Sequence, residues 1–459
     1  MITDDANVKA LLKTYYRQKG PENLLYRNSP VLAVIGRERI EGKDYKFSAM
    51  YGRGGACAGD CTQATSVAST VSRNTEFTVT PGQLFSVYTM NAKQILAART
   101  QKGAYMTVAG AQFFASLEAL RKTIALALYG TGYGEFGAVQ AAKTLTVGSN
   151  TATMTEDAVL KIDVGSVFRV TDGSLPADTL RTSVNTVTAI NGTTVTFTAT
   201  NADTWAAGDL FELEGSRDAS GSPYLPIGLE GWLPTLGART GSAWATYIAT
   251  AFFGVVRSVS VEALCGSYVA AATAAGKMAD SVMEGIRLAR RRGANSDMVV
   301  MNDADFLAMM VEIEGKQTFF QKTNGGEKGT QNEVTKGLSA FKFAFSTSWV
   351  NNVYEDPYCP LGRFYVLEKD NIAFLTYTNV EKLNDGISGN NPGTQDPMTQ
   401  NDNGNAEKPN QLLYDDFVTV QSGATTADGP STTVTCNLFG SFVVYNPAHC
   451  AVGNFYEAA

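Results

Sequence analysis

Histidine is almost missing from this chain: His449 is the only one in 459 residues. A Ser/His/Asp or Cys/His nucleophile system would have to use it, and the surrounding "YNPAHCAVGNF" holds no nucleophile motif. Histidine-based catalysis is not expected, no catalytic residue is assigned, and the chain does not read as an enzyme. Cysteine is sparse too. Of Cys57, Cys61, Cys265, Cys359, Cys436 and Cys450, only the pair in "CAGDC" lies close together. A structural zinc ion needs four nitrogen or sulfur ligands in paired short spacings, so neither a metal nor another cofactor is expected. The pair reads as small residues in a glycine-rich loop tip. A disulfide, within the loop or between neighbouring chains, is the sharper alternative, disfavoured in a reducing cytoplasm.

No run of about 18 apolar residues is present to cross a membrane. The opening "MITDDANVKALLKTYYRQKGPENLL" lacks the basic-then-apolar layout of a secretory signal, which implies a cytoplasmic start. Base is not in excess either: 37 Lys and Arg against 44 Asp and Glu leave a net charge of -7, without the cationic clusters that phosphate neutralisation requires. A role near nucleic acid would be containment rather than grip.

What remains is a globular composition, 44% hydrophobic and 18% charged, long enough for about three structural units. Residues 1–44 read as an arm, with Val8, Leu11, Leu12 and Tyr15 on one helical face before "KGPENLL" breaks the pattern. Residues 45–90 place strand-like "YKFSAMYG" and "EFTVTPGQLFSVYTM" on either side of a polar stretch, an extended β-hairpin whose arms of roughly 15 residues would reach on the order of 50 Å. A two-stranded ribbon is marginal in water. It should therefore lie on a neighbouring subunit, with Arg53, Cys57, Asp60 and Cys61 at the contacting tip. Residues 91–139 hold a long helix, about 105–129, in which Phe113, Leu117, Leu120, Ile124 and Leu128 form the stripe and Gly130 supplies a left-handed C-terminus.

Residues 140–215 turn rich in Thr, Val, Ser and Asp. "SVFRV", "TSVNTVTAI" and "TTVTFTAT" alternate as strands, "AINGTTV" carries the Asn-Gly hairpin signal, and both junctions are polar and glycine-rich. The expectation is a small antiparallel β insertion with flexible junctions. Modules of this composition also serve as adhesive or sugar-binding domains, but Trp205 alone makes no aromatic platform. Helix and mixed sheet then return. "AATAAGKMADSVMEGIRLARRRG" sets Ala275, Ala279, Val282, Ile286 and Ala289 on one face, and its three arginines before Gly293 suit the negative end of the helix dipole better than a phosphate.

"GANSDMVVMNDADFLAMM", residues 293–310, is a glycine stop, a short buried strand and a helix opened by Asn302, Asp303 and Asp305. Asn302 stands at the N-cap, Asp305 is placed to reach back as a shortened capping box, and Phe306, Leu307, Met310 and Val311 fall on one side. A Mg²⁺ site would want further carboxylates and a phosphate loop that the chain lacks. A helix cap is the better reading.

At this point the order of motifs resembles the major capsid proteins of tailed bacteriophages. "GANSDMVVMNDADFLAMMVEIEGKQTFF", "GLSAFKFAFSTSW" and "GRFYVLEKDNIAFLTY" are similar in order to their axial domain, and "TVTCNLFGSFVVYNPAHCAVGNF" to their late return strand. The resemblance implies an α+β capsid fold, shared with herpesviruses and encapsulin shells. It divides the chain into arm (1–44), extended loop (45–90), peripheral domain with spine helix (91–139), β insertion (140–215), peripheral domain and linker (216–262), axial domain (263–425) and return strand (426–459). It implies self-assembly into hexamers and pentamers of an icosahedral head, built in the bacterial cytoplasm around DNA bound without sequence specificity. Portal protein, separate scaffolding and a decoration protein would be the partners. Some members cross-link a loop lysine to a neighbour's asparagine; this loop tip has Arg53 and no lysine. An encapsulin-type nanocompartment is the alternative within the fold, and an extracellular β-rich adhesin or carbohydrate-binding protein the alternative outside it.

Overall fold

The computed structural model describes residues 29–40, 44–52, 58–67, 73–91, 108–173, 179–218, 221–271, 278–314, 343–345, 348–350, 352–376, 418–426 and 429–455. Two five-stranded sheets form the frame. The second is built around "MVVM", Met298–Met301, which pairs in parallel with Asn352–Glu355 and antiparallel with Arg363–Leu367; Ala451–Asn454 and Ser267–Val269 complete it. All four residues of "MVVM" are buried, without polar alternation, because both faces of the sheet are covered. Met298, Val300, Tyr365 and Leu367 enter the core shared with the first sheet. Val299, Met301, Phe364 and Val366 enter a second core under the helices Met278–Arg291 and Asp303–Glu314.

The helix Met278–Arg291 buries Val282, Ile286 and Ala289 as its stripe requires, together with Met278, Ser281 and Gly285. It ends in a Schellman motif: the Ala294 N–H reaches Ala289 O at 3.3 Å, the Gly293 N–H reaches Arg290 O at 2.9 Å, and Gly293 takes φ +95°. The neighbouring arginines are engaged by protein groups, Arg292 with Glu262 and Arg287 with Glu284.

The first sheet is organised by one strand, Gly429–Val444, that pairs with Val418–Thr426, Ile372–Thr376 and Gly82–Asn91; Gly36–Arg39 adds in parallel on Ile372–Thr376. This corrects the sequence reading in three places. The end of the expected arm is core, with Val31, Leu32 and Ile35 buried ahead of the edge strand. Residues 372–376 and 418–426, read within the axial segment, lie beside the return strand, while 451–454 leaves it for the second sheet. The hairpin is also shorter: Tyr45–Gly52 pairs with Arg73–Val79, and the run breaks at Thr80 and Pro81 because proline offers no N–H to a ladder. Arms of eight and seven residues reach about 25 Å, half the expected span.

The spine helix, Val108–Tyr129, buries Leu120, Ile124 and Leu128; the side chains of Phe113 and Leu117 lie outside the described residues. Its end differs from the expectation. Gly130 is not left-handed; Gly132 (φ +101°) and Gly134 (φ +69°) turn the chain instead. Residues 225–234 pack inward as well, where the indole N–H of buried Trp232 donates to Phe442 O at 2.9 Å.

The insertion is a six-stranded antiparallel sheet in the order 135–138, 210–213, 167–171, 185–191, 194–199, 148–153, with a two-stranded ribbon from 143–145 and 203–205. In its Asn-Gly hairpin Gly192, at φ +57°, is the first of two loop residues. The private core holds Phe136, Phe168, Phe197, Trp205 and Phe211, with Trp205 stacked on Phe197 at 5.4 Å. Leu126 of the spine helix reaches into this core, and Lys122 of the same helix pairs with Asp163 at 2.7 Å. The junction is thus clamped, against the flexible attachment read from its glycines. Among the described residues no helix is long and apolar enough to cross a membrane.

Candidate functional site

Asn302 does more than cap. Its Oδ1 accepts the Ala304 N–H at 3.0 Å, satisfying one of the free donors of the first turn. Its amide nitrogen donates to Cys359 O at 2.7 Å and to Asp157 Oδ1 at 3.1 Å. One buried side chain therefore ties three segments: the helix Asp303–Glu314, the loop before Arg363–Leu367, and the insertion. Asp305 does not reach back to the cap residue. Its Oδ2 accepts the Gly362 N–H at 2.6 Å, so the capping box is replaced by a tie to a loop 57 positions away. The apolar side of this helix also differs. Met309 is buried and Phe306 packs on the core, but Leu307 and Val311 are 66% and 63% exposed.

The insertion's contribution is a short helix, Glu156–Leu160, inside the segment read as all β. Thr155 caps it, accepting the Ala158 N–H at 3.2 Å, and Lys161 pairs with Asp157 at 2.8 Å. The sequence signal was present in "TEDAVLK": a cap residue, two acids in the first turn, and a lysine four positions after Asp157. Behind the joint, Asp356 is fully buried and accepts from Tyr129 Oη at 2.9 Å, from the Tyr358 N–H at 3.0 Å and from Ser29 Oγ.

Three carboxyl groups here titrate high. Burial pushes Asp305 up to about 6, against the Gly362 N–H and helped by the charges of Asp157 and Asp303. Burial raises Asp157 too, with Lys161 and Asn302 opposing, and raises Asp356, with Ser29, Tyr358 and Tyr129 opposing. Among the described residues no group of three or more His, Cys, Asp or Glu is arranged to hold a metal ion. His449 faces Glu368, Nδ1 to Oε2 at 3.0 Å.

At the hairpin tip, Arg53 and Cys57 lie outside the described residues. Asp60 caps a helix the sequence reading missed, Cys61–Val67: its Oδ2 accepts the Gln63 N–H at 3.2 Å and its carbonyl the Ala64 N–H at 2.9 Å. Cys61 is exposed with a free thiol. The hairpin is buried at its base, where Phe77 stacks on Phe47 at 5.2 Å and meets Trp232 at 5.4 Å; Met50, further out, is 73% exposed.

No protein-family model matches this sequence, and no curated protein matches it significantly. Solved structures do. The capsid asymmetric unit of cyanophage A-1(L) superposes with a TM-score of 0.52 at 12% identity, covering 97% of this chain and 98% of that one. The chain has the tailed-phage capsid fold. Looser matches include Mycobacterium phage Bobi (TM-score 0.42, 8% identity, 99% of both chains) and the SrpI encapsulin complex of Synechococcus elongatus (0.40, 8%, 99% of this chain and 96% of that one).

Proposed function

We propose that the chain is a major capsid protein, a shell subunit that tiles hexamers and pentamers into the icosahedral head of a tailed phage around double-stranded DNA. The observation that carries this is the fold likeness to a cyanophage capsid over nearly the full length of both chains. The chemistry is consistent with it. An acidic chain encloses a polyanion without adhering to it, and a hairpin buried only at its base leaves its outer arms and tip for another subunit. Asp60 and Cys61 belong to that contacting tip, together with Arg53 and Cys57. Asn302 and Asp305 hold the subunit together and take no part in chemistry. Portal, scaffolding and decoration proteins would be its partners, the host cytoplasm its place of assembly, and the virion its final location.

Negative-stain microscopy of the purified protein and of the particles that carry it tests this. Closed icosahedral shells, DNA-filled when taken from virions, are expected. Empty shells loaded with protein cargo would favour the nanocompartment reading, and monomers that never assemble would contradict both.

A further inference from the structure

The joint between the insertion and the 302–305 turn carries more acid than base. Asp157 comes from the insertion, and Asp303 and Asp305 from the capped helix; Lys161, close by, is committed to Asp157. Asp305 is 2% exposed and accepts the Gly362 N–H, and among the described residues no lysine or arginine forms an ion pair with it. The 359–363 loop presents Cys359, a buried thiol held neutral by desolvation, and Arg363, whose guanidinium is engaged by Glu230 at 2.6 Å. Asp356 lies behind, with Tyr129 and Ser29 donating to it. Two of the ties at the joint, Asn302 to Asp157 and Gly362 to Asp305, therefore end on carboxyl groups that a proton can change.

We propose that this joint is an acid-tightened clasp: one proton taken up by the Asp305 carboxyl removes a charge buried without a cation beside it among the described residues, and with it the lesser repulsion from Asp157 and Asp303, and fastens the insertion onto the turn and loop. Asp305 titrates at about 6 in the closed joint, above the ordinary aspartate value. A carboxyl raised by closure binds its proton more tightly closed than open, so closure strengthens as pH falls through that value and weakens above it. Burial raises Asp157 as well, against its own cation and amide donor, so its protonation acts in the same direction and the two carboxyls have to be separated by substitution.

Hydrogen exchange of the full-length, unassembled subunit tests this independently of whether the chain builds shells. Peptides covering 156–162, 303–314 and 356–363 should be about tenfold more protected at about pH 5 than at about pH 7.5, after correction for intrinsic exchange. Asp305→Asn should remove most of that difference, leaving only what Asp157 and Asp356 contribute. Equal wild-type protection at the two pH values overturns the clasp, and this comparison needs no variant to fold. A pH response that survives Asp305→Asn but disappears in Asp157→Asn overturns it as well, by assigning the proton to the other carboxyl.

Discussion

The insertion and the hairpin are both β structure with polar turns, yet only one of them closes. Six antiparallel strands give the insertion an inner face, and every fully buried apolar residue of its core except Leu126 is its own. Two strands give the hairpin no inner side of its own. Phe77 and Val79 are buried only because Trp232 and the main core lie beneath them, and the outer arms keep Met50, Asn74 and Glu76 exposed. Similar propensities thus produce a self-sufficient module in one place and a projection in the other. Strand number decides between them, since a ribbon has nothing to fold over its apolar side.

The largest expected effect comes from the hairpin. Replacing residues 53–70 with a short Gly/Ser turn should leave the subunit folded, with an unchanged thermal transition, and abolish stable particles in sedimentation. Heat-resistant shells from that variant would make the two regions equivalent. Next is Trp205→Ala, which should cost the insertion about 3–5 kcal/mol by opening a cavity among Phe168, Phe197 and Phe211. Calorimetry should then show a separate early transition for the insertion while the main transition stays in place. A uniform shift of both would mean that the modules fold as one.

Asn302→Ala removes the cap acceptor, the donor to the buried Cys359 O and the donor to part-buried Asp157, so about 2 kcal/mol is expected, at the upper end for a cap. Denaturant unfolding measures it, and a loss near zero would show that the ties at the joint carry no weight. The smallest effect is Gly293→Ala, about 1 kcal/mol, from placing a Cβ at φ +95°, where it would meet only His449 Nε2 at an ordinary 3.8 Å.

Much of the frame was legible because period and caps are local. "MVVM" announced a short buried strand, Val282, Ile286 and Ala289 announced a helix stripe, and Asn302 announced a cap. The joint was not legible. Asn302 meets Asp157 across 145 positions and Asp305 meets Gly362 across 57, and no spacing rule encodes such distances. Leu307 and Val311 misled for a related reason. Asp305 and Met309 take the inward side of that helix because Asp305 has a backbone donor waiting there, so the apolar pattern was outvoted by one buried hydrogen bond. The hairpin's second arm was overextended because "EFTVTPGQLFSVYTM" is uniformly strand-like; Pro81 was the visible stop, and the partner of 82–91 lies some 350 positions downstream, beyond local inference.

The contrast between a module that stands alone and a projection that needs a neighbour is tested most directly by hydrogen exchange on free subunits and on assembled particles of the same protein. The arms at 45–52 and 73–79 and the tip helix at 61–67 should gain at least about tenfold protection on assembly, as a marginal ribbon does when another chain covers it. The insertion's inner strands, 167–171 and 185–199, should be equally protected in both states. Hairpin protection that does not change on assembly, or insertion strands that become protected only in particles, would contradict the account.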